Sequence, residues 1–459
     1  LKKWLTKNFS LKEDITITFI NGFIVMGGVF LLNGMVARLH GLEILGEFLL
    51  VKRTFFTAVS LFLIGTNLGL ANYLSKNNER QYGDAAFQLF IILSLPLIIG
   101  CIYGLQWYQI EGINSEIFWP YFLFAMGICI QFLAFSLFRG YMNMLGASLI
   151  QFVGTAVIPI IVFLIFGDLM EILVWIGISS SLIMIFGFFW RNNGLRILKV
   201  KMLYYRDLVI FGLNRIPSII SQFVLLAGLP IMVAKTSNLE NVAYYDSSLS
   251  LLRLSLIIIN PISVVLLPRI SKNLAKGRFE EISSGLNLTL YVGIFFSFLT
   301  GIWIFIFTPF IFELWLGQMD NTGSLILRGI IISLPFYTIA GLARSPIDAA
   351  SYRGYNSIIY GIAAMFVVAS YYLGVKTGYH PLYVAVTSFV GGQIIAGVSS
   401  IIILNIFFNI RIWNFTLIRD VFVGTFLMIS GYYLMLSLGL NQLIIACAIF
   451  IFGIITFYF

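Results

Sequence analysis

Charge is the first thing this 459-residue chain lacks: Asp, Glu, Lys and Arg together make up 10% of it, where soluble domains carry about 25%. A water-facing surface cannot be built from so few charges, which excludes a soluble enzyme. A disordered chain is excluded as well, because disorder requires high charge and few apolar residues. Histidine and cysteine are also scarce. The two histidines, His40 and His380, have no Cys or carboxylate neighbours at ligand spacing, so no metal and no cofactor is expected. Cys101, Cys129 and Cys447 lie in apolar runs with no pairing pattern and read as packing residues. The motifs HExxH, P-loop and glycine-rich dinucleotide turn are missing, so no enzyme is expected. The loops are too short for an extramembrane domain.

What is abundant is apolar sequence. Hydrophobic residues make up 60%, arranged in runs of the ~20 residues needed to cross a bilayer. Fourteen spans are predicted, at 15–36, 45–74, 85–106, 117–138, 144–166, 169–190, 208–234, 243–268, 284–308, 322–345, 356–376, 382–408, 420–438 and 441–459. The chain is therefore expected to be an all-α polytopic membrane protein. The basic start KKWLTKNFSLKED leads into a run too long for a signal-peptide core, so no cleavable leader is expected. Pro96, Pro120, Pro159, Pro217, Pro230, Pro261 and Pro335 fall inside spans and predict kinks.

The net charge of +9 would suggest nucleic acid in a soluble protein. Here its distribution gives another reason, and no nucleic acid is expected. Of 28 Lys and Arg residues, twenty fall in the N-terminus and even-numbered loops and three (Arg38, Lys235, Lys376) in the odd-numbered loops. That asymmetry predicts a cytoplasmic N-terminus.

A repeat is also visible. Residues 34–76 and 230–272 share Met-Val-Ala near their starts (Met35, Met232) and Ser-Lys at their ends (Lys76, Lys272). Six spans separate the copies, an even number, so both run in the same direction. The expected organisation is an N-terminal bundle with its basic linker at 1–206, a pseudo-symmetric second six-helix bundle at 207–408, and accessory spans 13 and 14 at 409–459.

Five basic residues remain inside the spans: Lys52, Arg53, Arg215, Arg253 and Arg328, with Asp246 the clearest acidic companion. Each fully central charge would cost roughly 2.5–3.5 kcal/mol on insertion scales, so these groups must pair, snorkel or face water. Arg53 shares a helical face with Thr57, Ser60, Ile64 and Asn67, a polar stripe, whereas Lys52 shares its face with Phe56, Val59 and Leu63. Arg53 is therefore expected to face a water-filled cavity, with Lys52 at the stripe's edge. Asp246, Ser250 and Arg253 share a face, as do Arg215, Ser218 and Gln222, and Ser148, Gln151 and Thr155. A cationic cavity attracts anions, and arginine offers a planar fork suited to phosphate. For Arg215 and Arg328, near their span starts, reaching the interface is the alternative reading. Asp246 either orients a cation or lies at the interface.

The segments ARLHGLEILGEFLL and IGTNLGLANYLSK, with SLSLLRLSLIIINPISVVLLPRISK in the second half, resemble the Wzx-type polysaccharide and O-antigen flippases of the multidrug/oligosaccharidyl-lipid/polysaccharide (MOP) superfamily. The resemblance implies two six-helix bundles plus two further helices in the bacterial inner membrane. It also implies a flippase that moves an undecaprenyl-pyrophosphate-linked oligosaccharide by alternating access through a cationic cavity. Binding is carried over to Arg53 and Arg253 and, further, to Arg215 and Arg328, and Arg38 fits the family's basic position after span 1. Partners would be the anionic lipid-linked oligosaccharide, the bilayer and glycan polymerase machinery. The alternative is a multidrug exporter of the same superfamily, which would need buried carboxylates to attract cationic drugs.

Overall fold

The computed structural model describes residues 11–77, 79–107, 118–192, 194, 200–254, 279–317, 320–350 and 354–408, with 430, 433 and 437. Among them there is no strand. Nine helices are long and apolar enough to cross a membrane, and two bent pairs raise the count to eleven. The second half of span 8 with Pro261, almost all of spans 13 and 14, and Cys447 lie outside the described residues. The chain divides into two compact units, Leu1–Val242 and Ala243–Phe459.

In the first unit the helices are α1 (Leu11–His40), α2 (Leu42–Phe62), α3 (Thr66–Asn77), α4 (Gln81–Leu89 and Leu95–Trp107), α5 (Phe118–Gly140), α6 (Met144–Phe152 and Ile158–Ile165), α7 (Leu169–Arg191), α8 (Met202–Leu213) and α9 (Ile216–Phe223 and Leu229–Thr236). Side-chain caps set two of the starts: Asn143 accepts from the Gly146 amide at 2.8 Å and Asp168 from the Glu171 amide at 3.0 Å. The halves of α4, α6 and α9 are joined by five-residue π-turns, Phe90–Ser94, Val153–Val157 and Val224–Gly228. Each π-turn ends two residues before a proline: Pro96, Pro159 and Pro230. Proline has no N–H and its ring clashes with the carbonyl four residues back. Widening the helix by one residue removes that clash and lets the span continue. Kinks were predicted at these prolines; π-turns stand there.

The predicted span 45–74 is not one helix. It breaks between α2 and α3 with a 56° bend. Ile64 (φ 49°) and Gly65 (φ 65°) both adopt left-handed conformations, costly for a β-branched residue. The Gly65 amide donates to the Ser60 carbonyl at 2.7 Å, a Schellman-type closure. The break is held where α8 crosses it. A Cβ at Gly65 would lie 2.6 Å from the Gly212 Cα, and a Cβ at Gly212 only 1.7 Å from the Ile64 oxygen. Span 208–234 is likewise divided, at Asn214 and Arg215 between α8 and α9. Helices α5 and α7 make another close crossing: a Cβ at Gly127 would be 2.9 Å from the Gly177 oxygen, the small-residue approach that membrane helices use in place of a hydrophobic driving force.

Helix α10 (Leu239–Leu254) runs across the division into the second unit. There follow α11 (Phe279–Ile306), α12 (Thr308–Leu316), α13 (Asn321–Ile331), α14 (Leu334–Ala350), α15 (Tyr355–Lys376) and α16 (Pro381–Phe408). Pro309 and Pro335 stand in the first turns of α12 and α14, so here proline restarts a helix; α13 and α14 meet at 42°. Hydroxyls join the helices: buried Ser297 of α11 with Thr338 of α14 at 2.6 Å, and half-buried Ser370 of α15 with Ser388 of α16 at 2.9 Å.

Candidate functional site

Helix α2 carries Lys52 and Arg53 side by side. Arg53 is 8% exposed. Its polar stripe holds together by its own bonds: the Thr57 hydroxyl donates to the Arg53 carbonyl at 2.6 Å, and the Asn67 amide donates to the Ser60 hydroxyl at 3.2 Å across the helix break. Lys52 is half-buried, with its ammonium 5.3 Å from the centroid of the Phe48 ring.

Lys52 lines a pocket inside the first unit, between α2, α5, α6 and α7. Its polar lining is Lys52, Gln131, Thr155 and Ser180, set among Phe48, Phe56 and Phe124. Gln131 reaches it over Gly154, where a Cβ would come within 2.4 Å of the Gln131 amide carbon. The Thr155 hydroxyl donates to the Gln151 carbonyl at 2.6 Å. Gln151 in turn accepts from the Asn21 amide of α1 at 3.2 Å. Part of the predicted Ser148–Gln151–Thr155 stripe is therefore a seam between two helices.

A second buried polar cluster lies where α3, α4, α7 and α8 meet. Asp84, 1% exposed, accepts from the Asn192 amide at 2.8 Å, with the Arg80 Nε 3.9 Å away. Arg80 also donates to the Gly194 carbonyl at 2.7 Å. Arg191 sits 4.0 Å over the Tyr141 ring, and burial pushes the Tyr141 hydroxyl pKa up. Tyr82 donates to Asp207 at 2.9 Å, Tyr204 to Glu79, and Tyr205 to Gln88. The bond to Glu79 raises the Tyr204 pKa. Together these contacts hold α8 against α3 and α4.

The other candidate residues are dispersed. Arg38 is exposed in the last turn of α1. Arg215 is exposed at the start of α9, its guanidinium 4.6 Å over the Phe211 ring. In the second unit, Asp246 is 2% exposed and its carbonyl accepts from the Ser250 hydroxyl at 3.0 Å. Arg253 is half-buried, two turns further along α10. Arg328 donates its Nε to the Phe305 carbonyl at 3.1 Å, at the end of α11, with the Phe305 ring 5.5 Å away. A cation on the last carbonyls of a helix is a favourable end cap.

No protein-family model and no curated protein matches the chain. Solved structures do. The lipid II flippase MurJ in an inward closed conformation matches with a TM-score of 0.70 at 14% identity, over 96% of this chain and 98% of that one. An inward-facing MATE multidrug resistance transporter of the MOP superfamily matches with a TM-score of 0.65 at 14% identity, over 87% and 94%. A MOP transporter from Pyrococcus furiosus, reported for the reverse polarity of its binding pocket, matches with a TM-score of 0.58 at 15% identity, over 90% and 98%. The fold is that of the MOP transporters. The all-α polytopic architecture expected from the apolar runs is thus present, as a multi-pass membrane protein.

Within this MOP fold, Gln131, Ser180 and the Asp84 cluster are the polar groups that the sequence reading did not single out. A glutamine in the run GICIQFLAF and three serines in GISSSLIM were the available signals.

Proposed function

We propose that this chain is a flippase for an anionic lipid-linked oligosaccharide, an undecaprenyl-pyrophosphate-borne glycan, in the bacterial inner membrane. The observation that carries this reading is Arg53, an arginine 8% exposed in the middle of a membrane helix and next to a second cation, Lys52. Charge kept inside a span is expensive and marks substrate or ion pathways. One structural neighbour, MurJ, is named as a lipid II flippase, which agrees in substrate class.

On this reading the lipid tail stays in the bilayer while the pyrophosphate and sugars are carried past basic side chains. Those side chains offset the cost of dehydrating the head group. Arg53 and Arg253 offer bidentate forks to phosphate or acidic sugars. Asp246, two turns from Arg253, orients a cation. Arg215, exposed at the start of α9, and Arg38 attract the head group. Arg328 donates its Nε to the Phe305 carbonyl and adds its positive charge. Glycan polymerase machinery would take over the flipped product.

Complementation of glycan display in a strain lacking its flippase tests this, with membrane levels checked by blot. Truncating Arg53 or Arg253 to Ala removes a charge-assisted contact worth ~1.5–3 kcal/mol. Arg→Lys is expected to be milder and Arg→Glu worst. Full display with Arg53→Glu and Arg253→Glu at normal protein level overturns the reading. So does failure of the parent chain to restore display while it confers resistance to cationic drugs, the multidrug-export alternative.

A further inference from the structure

The pocket beside Lys52 raises a question separate from head-group transport, because it is too small for a pyrophosphate: it has room for about one water-sized guest. Two of its polar side chains, Gln131 and Ser180, are 3% and 2% exposed. Among the described residues, neither forms a side-chain hydrogen bond. Buried polar groups without partners are rare and need an explanation, commonly a water or an ion. Here two of them, on different helices, face the same small space.

The donor set decides which guest fits. Lys52 brings a positive charge and donors only, and Gln131 brings two amide protons. Ser180 brings a hydroxyl proton free to turn inward. Thr155 has committed its proton to the Gln151 carbonyl. No carboxylate lines the space, so a cation entering it would meet the ammonium and no acidic group of the lining. The remaining wall includes three phenylalanines, whose ring edges carry partial positive charge. The size excludes phosphate, sulfate and carboxylates.

We propose that this pocket is a binding site for a monatomic anion of the chloride class, held inside the first unit by Lys52, Gln131 and Ser180. The anion accepts from the Gln131 amide and the Ser180 hydroxyl beside the positive charge of Lys52, and ties α2 to α5 and α7. Its occupancy therefore stabilises the unit, and by linkage stability rises with anion concentration.

The test uses the full chain purified in detergent. Thermal unfolding is followed while sodium chloride replaces sodium gluconate at constant ionic strength, so that general screening stays fixed. The expected result is a saturable rise in Tm with chloride and with bromide, and none with sulfate. Lys52→Met should remove the rise. Gln131→Leu and Ser180→Ala should each move its midpoint about tenfold higher in chloride, the loss of one hydrogen bond to a charged group. Bromide soaked into crystals of the parent gives a second reading that does not depend on how Lys52→Met folds, with an anomalous peak expected between Gln131 and Ser180. Equal Tm in chloride and gluconate, an undiminished chloride response in Lys52→Met, or no bromide peak in the pocket would each overturn the proposal and leave a water site. These readouts involve no transport, so they fail or succeed independently of the flippase reading.

Discussion

Asp84 and Lys52 are both held within the first unit, yet their surroundings differ in kind. Asp84 is enclosed by the Asn192 amide, 108 residues further along, at 2.8 Å and by the Arg80 guanidinium, one helical turn back, at 3.9 Å, itself anchored on the Gly194 carbonyl. Most polar groups of that cluster meet another, although the Arg80 Nε stays at ion-pair rather than hydrogen-bond distance. Around Lys52 the pocket instead has two buried side chains, Gln131 and Ser180, with unused capacity. Arg328 in the second unit resembles Asp84, since its Nε meets the Phe305 carbonyl. Polar groups that fully satisfy one another hold a fold together. Polar groups with capacity to spare, facing a space, mark a place for something else.

The comparison is broken most sharply at Asp84. Asp84→Leu takes the close acceptor from the Asn192 amide and the carboxylate partner from Arg80 and should cost about 3 kcal/mol, the lower end for breaking a buried pair, read as a fall in Tm of the purified protein. A loss below about 1 kcal/mol would show that the cluster is not structural. Arg328→Met should come next, at about 1.5 kcal/mol, because one charge-assisted bond to a carbonyl is lost while the stem's packing is kept.

Tyr204→Phe should cost less, about 1 kcal/mol for its single bond to Glu79, and this change has a pH signature. The Tyr204 pKa is raised by that bond, so its contribution is complete below the ordinary tyrosine value of about 10 and is lost as pH climbs through the raised value. The parent should therefore lose its advantage over Tyr204→Phe only in strongly alkaline buffer. The smallest effect is expected at Lys52. In chloride-free buffer, Lys52→Met should unfold within about 1 kcal/mol of the parent, because an apolar replacement of similar length removes a desolvation cost along with the charge. A large loss there would place Lys52 in the same class as Asp84.

How far the sequence could be read depends on whether the deciding contact is local. Most of the spans follow from periodicity, as does the placing of Arg53, Thr57 and Ser60 on one helix, with Asn67 beyond the break. The break at Ile64 and Gly65 does not. An isoleucine with positive φ has no local signal, and its conformation is enforced by Gly212, far along the chain. The prolines announced disturbance but not its form, since a π-turn and a restart both answer the missing N–H. Asp84 meets Asn192 across 108 positions, a pairing no spacing rule contains. Gln131 and Ser180 are polar letters in apolar runs that the sequence reading passed over, and only packing turns them to a common pocket.

The crossing of Gly65 and Gly212 also has a mechanical consequence. Its two backbones touch with no side chain between them to act as a cushion, and α8 is clamped further by the tyrosines at its start. A pull on α8 therefore cannot be absorbed by side-chain rotation at that point and passes as displacement into the break beneath α2. Displacement of α8 is thus passed to the helix that bears Lys52 and Arg53 through a single pair of glycines.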